Sequence, residues 1–110
     1  MGTFTKQEAR VLRGLASRAQ RAELSGELTK LESHFGRWRK GEIEPADLAN
    51  LIHEFHDGPN RDLYKLYNSP DLALLVARAI AFGFLEASAV PAELRSKLQP
   101  LVDYATENLR

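Results

Sequence analysis

The longest apolar stretch of the chain lies between Leu72 and Leu85, where only Arg78 and Gly83 are not apolar. As a helix, these fourteen positions would extend roughly 21 Å, short of the roughly 30 Å hydrocarbon core of a bilayer. A helix that is apolar on every side must be buried. The stretch therefore predicts an apolar central helix at 70–87, covered by protein rather than lipid.

The first forty residues carry two apolar stripes at the three- and four-residue spacing of amphipathic helices. The first stripe is Leu12, Leu15, Ala19 and Ala22, and the second is Leu24, Leu28, Leu31, Phe35 and Trp38. The stripes are out of phase, and Ser25-Gly26 lies at the phase change, where Ser favours a cap and Gly weakens a helix. We therefore expect an N-terminal helical hairpin broken there, with one long helix as the alternative.

Capping signals mark the ends of several helices. Thr5-Lys6-Gln7-Glu8 has the form of a capping box, and Gly41 suits a left-handed helix end after Lys40. At the central helix, Ser69 is a cap candidate, Pro70 suits the first helical position, and Asp71 faces the positive end of the dipole.

The remaining segments also follow helical patterns. Pro45 begins a helix with an apolar face of Leu48, Leu51, Ile52 and Phe55, and Gly58-Pro59 is expected to end it. Asn60 is expected to cap a short helix over 61–67. Pro91 opens the last helix, and Pro100 is expected to interrupt it. The inward side chains expected there are Leu94, Leu98, Leu101, Val102, Ala105 and Leu109. With no strand pattern in the chain, the sequence predicts an all-α, compact single-domain bundle of five or six helices over 1–110.

The composition indicates what class of protein this is and which chemistries it excludes. The chain has 110 residues, 44% of them hydrophobic and 27% charged, which is typical of one folded globular domain. The absence of cysteine excludes disulfides, thiolate metal sites and cysteine nucleophiles. The first twelve residues lack the apolar core of a signal peptide. We therefore expect a cytoplasmic protein with no membrane partner.

Basic side chains are concentrated at the start of the chain, although the net charge is zero. Lys6, Arg10, Arg13 and Arg21 fall within about 80° on one side of the first helix, counting 100° per residue. Such a face is suited to phosphate contacts, which would make the protein a nucleic-acid-binding accessory protein. The same charges would equally serve as a solvated face, pair with Glu27 and Glu32, or contact an acidic protein.

The residues capable of chemistry are concentrated in 53–67. His53 and His56 are three residues apart, near enough on a helix to share a metal ion, and Asp57 adds a carboxylate. The further catalytic candidates are Arg61, Asp62 and Tyr64. The spacing is not that of the HExxH zinc motif. One alternative is that Asp57, four residues on, orients or salt-bridges His53. Another is structural: His56 bonds a loop carbonyl, while His53 and Asp57 are solvated.

The doublet His56-Asp57, after the apolar Leu51-Ile52, slightly resembles the HD superfamily of metal-binding, all-α phosphohydrolases. That family's order of an earlier His, the HD pair and a later Asp is matched here by His34, His56-Asp57 and Asp103. The resemblance implies a small metal-dependent hydrolase as an alternative function, with a divalent metal as its cofactor.

Arg78 is the single charge within the apolar run. If it is buried, it needs a carboxylate, for which Glu54, Asp57 and Asp62 are the candidates, and otherwise it marks a contact with another chain. The all-round apolarity of the run also predicts a homodimer that covers it. The function that the sequence favours is therefore a non-catalytic helical interaction module without a cofactor, which homodimerises or docks on a protein partner.

Overall fold

The computed structural model describes residues 4–109, and within that range every regular element is helical. Residues 1–3, which belong to the segment predicted to lack a signal-peptide core, and residue 110 lie outside it. The elements form four continuous helices: α1 (Lys6–Arg39), α2 (Pro45–Tyr67), α3 (Leu72–Phe82) and α4 (Ala92–Asn108). Helix α2 consists of Pro45–Phe55, a π-helical turn at His56–Asn60, and Arg61–Tyr67. A 3-10 turn, Ala87–Ala89, precedes α4. The all-α prediction is confirmed, whereas the predicted number of five or six helices is wrong, because residues 4–109 form four.

The predicted hairpin at Ser25-Gly26 is wrong, since α1 runs through both residues as one helix of 34 residues. Gly26 does not adopt a positive φ, and the Thr29 hydroxyl donates to the Ser25 carbonyl at 2.9 Å. A break would leave four N–H and four C=O groups without helical partners, whereas an interior glycine costs only about 1 kcal/mol. The helix ends as predicted, with Gly41 in the left-handed region at φ 76°.

The prediction that Gly58-Pro59 ends the second helix is wrong, because α2 continues through both residues. Pro59 has no N–H to donate, and its ring would clash with the carbonyl of Phe55 in α geometry. The backbone widens into the π turn at His56–Asn60 and continues into Arg61–Tyr67. Because the helix is continuous, the side chain of Asn60 does not cap a new one. The start is as predicted, with Pro45 at the first position and the Glu44 N–H donating to Asp47 Oδ2 at 2.9 Å.

The central helix, α3, is shorter than the predicted 70–87. It ends at Phe82 because Gly83 turns into the left-handed region, with φ 84°. The cap is Asp71, which accepts from the Leu74 N–H at 3.1 Å, rather than Ser69. Pro100 lies inside α4 and does not interrupt it.

The chain packs as two units, residues 23–68 and the remainder. We call residues 23–68 unit 2 and the remainder unit 1. In unit 2, α2 packs on the second half of α1. In unit 1 the first half of α1 packs with α3 and α4, which contact each other extensively. Sixteen apolar residues are buried in the described range, and only two of them, Leu48 and Leu63, lie in unit 2. The prediction of a single domain over 1–110 stays a prediction.

The apolar central segment is covered within the chain. Between Leu72 and Leu85, Gly83 is the single exposed residue, and Val76, Ala77 and Ala79 are fully buried. The prediction that protein covers this segment is thus confirmed. Because the chain's own residues cover it, its apolarity no longer gives a reason to expect a homodimer there. No helix within residues 4–109 combines the length and apolarity needed to cross a membrane.

Candidate functional site

The second half of α1 leaves its apolar stripe only partly covered. In the first half of the helix, Leu12 is 2% exposed and Ala19 is fully buried. In the second half, none of the five stripe residues is buried, and Leu28 and Trp38 are 46% and 40% exposed. Exposed large apolar side chains in a row are typical of interaction surfaces. α1 therefore changes along its length from a packed helix to one that presents an apolar face.

A shallow depression of about 390 Å³ lies on this face. We call it the α1 patch, and it is lined by Leu28, Leu31, Glu32, Phe35, Gly36 and Arg39. Leu31, Phe35 and Gly36 are half-buried, whereas Glu32 and Arg39 are exposed at its edge. The α1 patch thus has an apolar floor and one charge of each sign.

A groove of about 270 Å³ between α1 and α2 adjoins the α1 patch through Leu31, which lines both. Its apolar lining is Leu31, Leu51, Phe55 and Pro59, and its polar edge is Glu27, Lys30, His34 and Glu54. Lys30 Nζ lies 3.0 Å from Glu27 Oε2, and Arg37 Nη1 lies 3.1 Å from His34 Nδ1. The groove and the α1 patch form one apolar surface with a polar border.

A partly buried hydrogen bond joins α1 and α2 in the same unit. The Tyr67 hydroxyl at the end of α2 donates to Glu23 Oε1 at 2.8 Å, and Glu23 is only 9% exposed. The sequence reasoning missed this pair. The available signal was that Glu23 continues the helical row of Ala16 and Ala19, which predicts an inward position for its carboxylate.

The predicted metal ligands do not form a metal-binding group. His53 Nε2 lies 3.0 Å from Asp57 Oδ2, and His53, His56 and Asp57 are all exposed. Among residues 4–109, no three His, Cys, Asp or Glu side chains are placed to hold one metal ion. The alternative in which Asp57 pairs with His53 across one helical turn matches the observed geometry.

The other catalytic candidates are exposed on α2: Arg61, Asp62 and Tyr64, the last 69% exposed. The two outer residues of the HD-like pattern have partners close in sequence. His34 contacts Arg37, and Asp103 Oδ1 accepts from Gln99 at 2.9 Å. Of the candidate hydrolase residues within 4–109, His53 and Asp57 form an ion pair with each other.

The basic side chains of the first helix, Lys6, Arg10, Arg13 and Arg21, are all exposed. Nearby in unit 1, Glu8 Oε1 lies 2.7 Å from Lys97 Nζ, beside a cleft of about 350 Å³. The Lys97 hydrogen bond, with help from the Thr5 N–H, holds the pKa of Glu8 below its ordinary value. The Thr5-Glu8 capping box is present as predicted, with both bonds at 3.0 Å. These contacts stabilise the start of α1.

Arg78 is half-buried, and its Cζ lies 5.0 Å from the centroid of the Phe82 ring. This is a cation–π contact one helical turn along α3. The sequence reasoning missed it, although the four-residue spacing of Arg78 and Phe82 was a signal. Pairing of Arg78 with Glu54, Asp57 or Asp62 stays a prediction.

Comparisons with known proteins do not assign the chain to a family. No family model, no curated protein and no solved structure shows significant similarity to it.

Proposed function

We propose that this protein is a non-catalytic helical interaction module, acting in the cytoplasm, that docks on protein through the apolar surface of unit 2. The observation that carries this proposal is the exposure of Leu28 and Trp38 on a helix whose first half buries Leu12, Leu15 and Ala19. Keeping such side chains in water is unfavourable, by about 25 cal/mol for each Å² of apolar area. A docked partner would recover that free energy.

The composition of the surface supports the proposal. Leu28, Leu31 and Phe35 line the α1 patch, and the exposed Trp38 continues the same stripe of α1. Aromatic anchors within a polar border are typical of protein interfaces. The charged residues Glu27, Glu32 and Arg39 lie at the border. This arrangement favours a protein partner over a small-molecule substrate, because the depressions are shallow.

The two alternative functions have less support. The hydrolase candidates are exposed and do not form a three-ligand group within residues 4–109. The basic face of α1 is exposed, but exposure is expected of any solvated charged face and does not favour nucleic acid.

Site-specific photo-crosslinking in cells tests the proposal. The photoreactive residue p-benzoylphenylalanine is placed at Leu28, and in a matched control at Ser33, which is also exposed but lies about 140° away around α1 at 100° per residue. We expect a discrete protein adduct from position 28 and none from position 33. An adduct with twice the chain mass identifies a second copy, and any other mass identifies a different protein. The absence of a position-28 adduct, or equal adducts from both positions, would contradict the docking function.

A further inference from the structure

Two opposite charges flank the centre of the α1 patch. Glu32 and Arg39 are seven residues apart, so they lie within about 20° of each other around the helix and about 10.5 Å apart along it. That separation is too long for an ion pair within one helix. Within residues 4–109, neither side chain makes a hydrogen bond or an ion pair. Each is therefore free to pair with another molecule.

The geometry points to a second copy of this chain as the occupant of the α1 patch. We infer that two copies pack α1 against α1 in antiparallel orientation, with the two-fold axis passing between Phe35 and Gly36. That point lies midway between Glu32 and Arg39. The Glu32 carboxylate of each copy then faces the Arg39 guanidinium of the other, giving two equivalent ion pairs. This inference rests on the proposed function and names its partner.

The centre of the α1 patch has the shape that such a crossing needs. Apart from its two chain neighbours and the backbone of its own helix, no atom lies within 4 Å of the position that a Cβ on Gly36 would occupy. The same two-fold axis places Phe35 of each copy over Gly36 of the other. A large side chain above a glycine lets two helices approach closely, and packing rows four residues apart is the commonest form of helix contact.

Charge also selects the orientation and permits self-association. A parallel pair would place Glu32 against Glu32 and Arg39 against Arg39, which is repulsive. The net charge of the chain is zero, so two copies do not repel each other over long range. The charges therefore favour the antiparallel homodimer.

Charge exchange at these two positions tests the inference. Sedimentation velocity from micromolar to submillimolar concentration is expected to show wild-type self-association. Glu32→Arg and Arg39→Glu should each weaken it by at least about tenfold, because each change replaces two attractive pairs with two repulsive ones. Mixing the two variants should restore association, since one carries only basic and the other only acidic side chains at these positions. In a parallel dimer, neither single change would alter the number of repulsive pairs.

Matched controls reverse the same charges elsewhere on exposed helical positions. Glu107→Arg in α4 and Arg13→Glu in the first half of α1 should leave self-association within about twofold of wild type. Circular dichroism checks that all variants retain the wild-type helix content. A wild-type protein that stays monomeric over the range, or variants that fail to associate when mixed, would overturn the inference. If position 28 then crosslinks to a different protein, the proposed function stands while the homodimer fails.

Discussion

At the scale of single residues, the hydrogen bond from Tyr67 to Glu23 is the contact whose loss is easiest to measure. It joins residues 44 positions apart, and its acceptor is a carboxylate that is 9% exposed. Hydrogen bonds to charged groups contribute about 1.5–3 kcal/mol. The pair therefore contributes to holding α2 against α1 in unit 2.

Removing that hydroxyl should destabilise the protein. Tyr67→Phe is expected to lower the free energy of unfolding by about 1.5–3 kcal/mol, because the Glu23 carboxylate loses a donor while the ring is kept. Urea denaturation measures the change. Tyr64→Phe is the matched control, since Tyr64 is 69% exposed and should change stability by less than about 0.5 kcal/mol. Equal effects of the two substitutions would show that Glu23 does not depend on Tyr67.

Glu8 makes the stability of the fold depend on pH in the acid range. Its pKa is lowered in the folded state, chiefly by the Lys97 hydrogen bond. A group with a lowered folded pKa contributes stability that is fully present above its unfolded pKa, about 4.3, and is lost as the pH falls through the lower folded value. Glu8→Gln should therefore reduce the loss of melting temperature between neutral pH and about pH 2. The control is Glu107→Gln, at an exposed position without these partners. It should leave the fall of melting temperature between neutral pH and about pH 2 unchanged.

At the scale of elements, two glycines should respond oppositely to the same substitution. Gly26 lies inside α1 without a positive φ, whereas Gly83 ends α3 with φ 84°. Gly26→Ala should raise the free energy of unfolding by about 0.5–1 kcal/mol, since alanine favours a helix interior. Gly83→Ala should lower it by about 1–2 kcal/mol because an L residue is strained in the left-handed region.

Urea denaturation of both variants tests the continuity of α1. The open space around each glycine removes steric clash with packed neighbours as a competing explanation. Beyond the adjacent residues, no side chain lies within 4 Å of the position that the alanine methyl group would occupy at either site. A destabilising Gly26→Ala would indicate that the helix bends or breaks at Ser25-Gly26 in solution, as the phase change between the two apolar stripes predicts.

At the scale of the whole molecule, burial is unevenly divided between the two units. Unit 1 contains fourteen of the sixteen buried apolar residues in the described range, and unit 2 contains Leu48 and Leu63. Segments with few buried apolar side chains open at lower free energy than well-packed ones. Unit 2 is therefore expected to open before the chain unfolds globally.

Hydrogen exchange followed by mass spectrometry checks this expectation. Amides in the middle of α3 and α4 should exchange more slowly than those in α2, by at least about tenfold. Leu98→Ala, which truncates a fully buried side chain of α4, should accelerate exchange in α3 and α4 by removing about 2–5 kcal/mol of stability. Equal protection in α2, α3 and α4 would instead favour one cooperative domain over 1–110.

Local sequence determined most of the helix starts and one of the helix ends correctly. The Thr5-Glu8 box, Pro45 and the left-handed Gly41 act within one turn, so short-range chemistry is sufficient to predict them. It was insufficient at Ser25-Gly26, Gly58-Pro59 and Pro100, where a helix-breaking residue sits inside a helix that continues. At these positions one helix-breaking residue costs less free energy than two new helix ends, whose backbone N–H and C=O groups would lack partners.

The apolar pattern alone does not determine which stripe is covered. Leu12 and Leu28 belong to two similar stripes, yet one is 2% exposed and the other 46%. Sequence by itself established the helical class, an apolar segment covered by protein, and the two stripes of α1. Only the tertiary structure decided that the second stripe stays partly exposed and that Glu23 contacts Tyr67, because burial depends on segments that are distant in sequence and brought together by folding.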